Sequence, residues 1–178
     1  ARHRRLGAAS VDGAGEIAHV FFVEAGLVPA QMDPQMRAWL AQGIDLVKTH
    51  VDHLDQLPRE TGIVFGFETA PPEIDDDARE ALGRPEGEAV AREFTRLVDE
   101  KESLTAESYR EIVAQVKANT HQKGRNLFHP IRAALTGHGS GPEMEKLIPL
   151  YESGSRLNLP RKVMSCCERL HAVLDSLK

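Results

Sequence analysis

The sequence predicts an all-α fold, arranged as two small helical bundles. Three observations carry that prediction. Apolar residues recur at spacings of three and four along most of the chain. Helix-start signals stand ahead of these stripes at Asp33-Pro34, Asp75-Asp76-Asp77, Thr105 and Pro142. The one strand-like run, Ile63-Val64-Phe65-Gly66-Phe67, has no comparable run to pair with, so residues 59–70 are expected to form a short helix or an apolar loop.

Taken in order, residues 16–25 place Ile17, Val20, Phe21 and Phe22 on one broad face. Asp33 caps the next helix with Pro34 at its first position, and Met36, Trp39 and Leu40 belong to its apolar set. Residues 43–57 carry Ile44, Val47, Val51 and Leu54 as one amphipathic helix stopped by Pro58. Pro71-Pro72 breaks the chain and sets the expected boundary between units 1–72 and 73–178. Asp75, Asp76 and Asp77 bring negative charge to a helix N-terminus, where the helix dipole favours it. A turn at 83–87 leads to a helix at 88–101 with Val90, Phe94, Leu97 and Val98 inward. Thr105 caps a helix whose stripe is Tyr109, Ile112, Val113 and Val116. Residues 123–135 form the next, its start reset by Pro130, and residues 142–151 follow with Glu143 and Glu145 in the first turn. The last runs over 160–174, with Val163, Cys167, Leu170 and Leu174 facing in. No repeat or low-complexity tract appears.

At 178 residues and 41% hydrophobic, the chain is long enough to bury a core. Cys166 and Cys167 are its only cysteines, and neighbouring cysteines rarely bridge, so a reduced, cytoplasmic setting is expected. No apolar run approaches the roughly 20 residues that span a bilayer, so no membrane partner is expected. The basic start, Ala1 to Arg5, reads as a cut end or an exposed helix. A net charge of −5 argues mildly against a polyanionic partner. Its distribution weakens the objection: residues 73–102 hold eleven acidic against five basic side chains, whereas residues 117–169 hold nine basic against four acidic. Screening beyond roughly 8–10 Å lets the second stretch present its own attractive face.

Little in the chain points to catalysis. His50 and His53, three apart, need a third converging group to hold a metal, and His121, His129 and His138 are scattered around turns, so no metal site is expected. Cys167 on an inward stripe behaves as a small apolar group. Gly137-His138-Gly139-Ser140-Gly141 lacks the Gly-Lys-Ser/Thr ending of a phosphate loop, and Glu143 with Glu145 would repel an anion, so it reads as a structural turn able to set backbone groups against a base edge. The acidic residues at 73–80 are explained by helix-start charge and solvation. Arg156, Arg161 and Lys162 are either a solvated face or an extension of a basic track that includes Lys123, Arg125 and Arg132.

Residues 122–144 are the most informative stretch. A basic run (Lys123, Arg125, His129, Arg132) lies beside an apolar one (Leu127, Phe128, Ile131, Ala133, Ala134, Leu135), followed by the Gly-rich turn and Gly141-Pro142. Cations on a helix presented by a tight turn suit single-stranded nucleotides. The stretch Lys123-Gly124 … Leu127-Phe128 … Pro130 … Arg132 … Ala134-Leu135-Thr136-Gly137 … Gly141-Pro142 closely resembles the anticodon-binding part of bacterial glutamyl-tRNA synthetases. Phe21 to Leu27, Ile44 to Pro58 and Leu104 to Lys117 resemble further segments of that family, so the resemblance covers nearly the whole chain.

The resemblance implies a helical connecting unit followed by a helical anticodon-binding unit, with tRNA-Glu, and tRNA-Gln as a second candidate, for partner. The family's signatures for ATP binding and adenylate formation are missing from this sequence, so no catalytic residue and no cofactor is expected in it. ATP and Mg would belong to a catalytic domain acting in cis, making the chain either a fragment of a larger enzyme or a free-standing relative. The family's third-base arginine falls on His50, its second anticodon-facing arginine on Arg132, and its base-touching turn on Gly141, Pro142 and Met144. Pro142 and Met144 are expected to stack on bases. Lys123 and Arg125, with Arg161 and Lys162, are the expected phosphate contacts. An arginine presents a rigid donor fork, whereas neutral histidine offers one donor and one acceptor, so His50 leaves open whether both anticodons are accepted. The rival expectation is a helical protein-interaction module that has kept the fold and lost tRNA.

Overall fold

The computed structural model describes residues 11–65 and 72–178. The basic start at Ala1 to Arg5, and Gly66, Phe67 and Pro71 of the connecting segment, lie outside the described residues. The fold is helical: α1 (Val11–Glu24), α2 (Pro34–Val47), α3 (Leu57–Glu60), α4 (Gly62–Phe65), α5 (Asp76–Gly83), α6 (Pro85–Asp99), α7 (Ala106–Thr120), α8 (Arg125–Thr136), α9 (Met144–Gly154) and α10 (Cys166–Ser176). No strand forms among the described residues, and the apolar run at 63–65 becomes the short α4. No helix among them is long and apolar enough to cross a membrane.

Three of the four start signals act as local chemistry dictates, while α9 begins at Met144, two residues after Pro142, with Glu143 at its N-cap rather than in its first turn. Asp33 accepts the Met36 N–H at 2.8 Å with Pro34 in the first turn of α2. Asp75 accepts that of Ala78 at 2.7 Å, and Thr105 forms a capping box with Ser108. The core of the second half is a bundle of α6, α7, α8 and α10, in which Val90, Phe94, Ile112, Val116, Leu127, Ile131, Leu170 and Val173 are sealed from solvent. Phe94 and Tyr109 meet edge to face with centroids 6.0 Å apart. The first half packs α1 against α3, around Phe22 and Leu57, and lays α2 on α9. There the Trp39 indole N–H donates to the Leu150 carbonyl at 2.9 Å, and its ring meets Phe65 edge-on at 5.6 Å.

Several expectations need correction. The predicted 43–57 helix is two pieces: α2 ends at Val47, a 3-10 turn spans Lys48–His50, and Val51 is extended (φ −122°, ψ 137°) before a second turn at Leu54–Gln56. Val51 and Leu54 still point inward, so the apolar period continues across a break in the backbone. Val20 is exposed, leaving Ala18 and Phe22 as the buried face of α1. Pro130 does not reset α8, which runs through it unbroken. The 83–87 turn shrinks to Arg84, with Pro85 opening α6. The last helix starts at Cys166, not residue 160, capped by Ser165. That shift buries Cys166 and leaves Cys167 exposed, the reverse of the expected order.

One glycine is demanded by close approach. A Cβ on Gly87 would lie 1.8 Å from the Ala81 carbonyl oxygen and 3.4 Å from the Pro130 ring, where α5 folds back on α6. Gly87→Ala is expected to push these helices apart and lower unfolding free energy by about 1–3 kcal/mol, read by urea denaturation.

Candidate nucleic-acid interface

α8 carries the candidate face. Leu127, Ile131, Ala134 and Leu135 are buried, which turns Arg125, Phe128, His129 and Arg132, at positions i, i+3, i+4 and i+7, to the other side. Phe128 is 52% exposed, a large apolar ring standing open between two arginines. Asp77 at the start of α5 lies across from them, 3.5 Å from Arg125 Nη2 and 3.3 Å from His129 Nε2.

The chain leaves α8 at Gly137 in a left-handed conformation and enters the turn at 138–143. Asp75 anchors that turn. Its own N–H donates to the Gly137 carbonyl at 2.9 Å. Its carboxylate accepts the Gly139 N–H at 3.2 Å and lies 3.2 Å from His138 Nδ1 while still capping α5. Burial alone would raise the Asp75 pKa, but the bonds from Ala78, Gly139 and His138 outweigh it and hold the carboxyl below its usual value. The far side of the turn is pinned by Arg132, whose Nη1 donates to the Pro142 carbonyl at 2.9 Å. Between them Gly141 adopts φ 149°, and a Cβ there would lie 2.9 Å from Ile63 Cδ1 and 3.4 Å from Arg132 Nη1. Its positive φ is what favours glycine there, since the two neighbours are the ends of flexible side chains.

Two clefts flank this turn and join at Ser140. One is lined by Asp77, Arg125, Phe128, His129, Arg132 and Gly139. The other is lined by His50, Arg59, Glu60, Ile63, His138, Gly141 and Pro142. Of the residues singled out from sequence, His50, Arg125, Arg132, Gly141 and Pro142 therefore line two clefts that share Ser140, although His50 is 82 positions from Arg132 in the chain. Lys123 is exposed just before α8 and lines neither cleft. Arg161 and Lys162 line neither; Lys162 pairs with Glu168 at 2.6 Å on the approach to α10. Met144, expected to stack on a base, is 7% exposed as the first residue of α9 and packs into the core, so its side chain has no open face to offer.

Sequence reasoning missed Phe128 and Arg59. Phe128 hid inside an apolar run, and only its offset from Leu127 and Ile131 on the helical wheel separates it from the core. Arg59 carries no signal of its own; the break after Val47 is what brings it beside His50. The surface thus offers guanidinium forks, imidazoles, one open aromatic face and the backbone of a tight turn. That set suits recognition of unstacked bases and their phosphates.

Such a surface on an all-helical scaffold has the makings of an RNA-reading module. More narrowly, residues 17–154 match the family described as the anticodon binding domain, and the chain belongs to that family. It is 33% identical over 135 residues to the glutamate–tRNA ligase of Geobacillus thermodenitrificans, a match covering 76% of this chain and 27% of that protein. Glutamate–tRNA ligase 1 of Caldicellulosiruptor saccharolyticus is 30% identical over 141 residues, 79% of this chain and 29% of that protein. The crystal structure of a glutamate tRNA ligase from Elizabethkingia meningosepticum, in complex with its amino acid, shares the fold with a TM-score of 0.68 at 16% identity, covering 96% of this chain and 30% of that one. The chain thus spans less than a third of the length of these relatives.

Asp75→Ala removes a helix cap and the tether of the turn together, and is expected to cost about 1–2 kcal/mol of stability at neutral pH. The folded-state pKa of Asp75 lies below the unfolded one, so its contribution is present above about pH 4 and fades as pH falls through the folded value. Denaturation midpoints of the two proteins should therefore converge on acidification.

Proposed function

We propose that this chain is the anticodon-reading part of a glutamate–tRNA ligase, gripping the anticodon arm of tRNA-Glu, with tRNA-Gln as a second candidate. The observation that carries this reading is the meeting of two clefts at Ser140 in a member of the anticodon-binding family. The unit at 1–72 supplies one wall through His50 and Arg59, and the unit at 73–178 supplies the other through Arg125, Phe128 and Arg132. Arg132 spends one N–H on Pro142 and keeps the rest of its fork for a base edge. His50 faces the third base with Arg59 beside it, Pro142 and Phe128 stack, and Arg125 with Lys123 neutralises phosphate. Arg161 and Lys162 take a peripheral phosphate role at most. Adenylate chemistry with ATP and Mg falls to a catalytic domain of the same enzyme, acting in cis in the cytoplasm.

The rival reading, a helical protein-interaction module that no longer binds tRNA, draws support from the net charge of −5. Filter binding of a tRNA-Glu anticodon stem-loop across a salt series separates the two. A reader binds at low salt and loses affinity steeply as salt rises, whereas an adaptor binds at no salt concentration.

Phe128→Ala, on an exposed position, should leave stability unchanged and cost about 1–3 kcal/mol of stem-loop affinity through lost stacking. Arg132→Ala should cost about 1–3 kcal/mol for matching anticodons, and uniform weakening across unrelated stem-loops would make it a phosphate contact instead. Asp77→Asn removes the carboxylate facing Arg125 and should tighten binding at low salt, an effect that disappears at high salt.

A further inference from the structure

Away from both clefts, the end of α6 meets the first turns of α10. Asp99 closes α6, while Cys167 and His171, four residues apart, lie on one face of α10. The Cys167 thiol donates to Asp99 Oδ1 at 3.3 Å, and His171 Nε2 lies 2.9 and 3.0 Å from the two Asp99 oxygens. One ligand atom from each residue falls within 4.8 Å of the others. Asp175, one further turn along α10 and interacting electrostatically with His171, adds negative charge to the same face.

We propose that Asp99, Cys167 and His171 form a binding site for a borderline-soft divalent metal ion of the zinc type. A thiolate, an imidazole and a carboxylate are the donor set that zinc takes, whereas magnesium and calcium take oxygen alone. Around a tetrahedral zinc, bonds of about 2.0–2.3 Å set ligand atoms roughly 3.3–3.8 Å apart, so the two pairs that Asp99 makes have to open by less than about 1 Å, and the third pair, within 4.8 Å, needs a shift of the same order. All three side chains are exposed enough to make that adjustment by rotamer change, and solvent can supply the fourth ligand. On binding, the sulfur–metal bond replaces the S–H bond and the thiol proton leaves to solvent. The ion would fasten α10 to α6 through residues that line neither cleft.

Cobalt(II) titrated into the chelator-stripped full chain tests the site. One equivalent should produce the near-ultraviolet sulfur-to-cobalt charge-transfer band and visible tetrahedral bands, both bleached by zinc, and zinc should raise the thermal midpoint. Cys167→Ser should abolish the charge-transfer band, and Asp99→Asn or His171→Ala should abolish the zinc-dependent rise in midpoint, with helical circular dichroism unchanged. Exposed positions make these variants fold-neutral. No saturable binding, cobalt bound without the sulfur band, or a band that survives in Cys167→Ser overturns the proposal.

Discussion

A guanidinium sealed inside the protein holds the rest together. Arg169 of α10 is fully buried, yet it donates to the carbonyls of Val64 in α4, Leu135 in α8 and Met164, and its charge lies 3.7 Å from the centroid of the Tyr151 ring in α9. Desolvating such a charge costs several kcal/mol, offset by charge-assisted bonds and by a ring contact that contributes about 2 kcal/mol once water is excluded. Burial pushes its pKa down from an ordinary value so high that the group stays charged. Geometry follows from that requirement. The end of α8 launches the turn at 138–143, α4 brings Ile63 against Gly141, and the Tyr151 hydroxyl donates to the Ile63 carbonyl at 2.9 Å. One buried cation therefore ties together the segments that carry the candidate face.

The acidic charge of the chain is largely spent away from that face. Along α5 and α6, Glu80, Glu88, Glu93 and Glu100 are taken up by Arg84, Arg92 and Arg96 at helical spacing. Arg96 and Asn119 pull Glu93 down to about 2, and these exposed pairs contribute little stability each. What they do is quench the local field. Among the described residues, Asp77 is the acid that pairs with the α8 cations Arg125 and His129.

The fold class and most helix starts were legible because they rest on local chemistry. Asp33, Asp75 and Thr105 cap as their side chains dictate, and the stripes of α6 and α7 are buried as spaced. The break after Val47 was not legible, since Val51 keeps the inward phase in an extended conformation and period alone cannot register a change of backbone. The cysteines were misplaced for a related reason: residues 160–165 look helix-compatible, but the Ser165 cap starts the helix later and rotates the face. At the candidate site, the resemblance pointed to His50, Arg132, Gly141 and Pro142, which the fold gathers. Met144 was misjudged because exposure is a tertiary property, and Arg59 and Phe128 emerge only once distant segments are folded together.

The indole bond from Trp39 to Leu150 spans 111 positions, and the hydroxyl bond from Tyr151 to Ile63 spans 88. Closing such long loops is entropically slow, and individual helices gain nothing from it until both ends arrive. A partly folded chain can thus hold much of its helix content while the two clefts have yet to face each other. On the proposed reading, a ligand that engages only the closed form draws the population toward it, so its capture would double as a check that the polypeptide has finished folding.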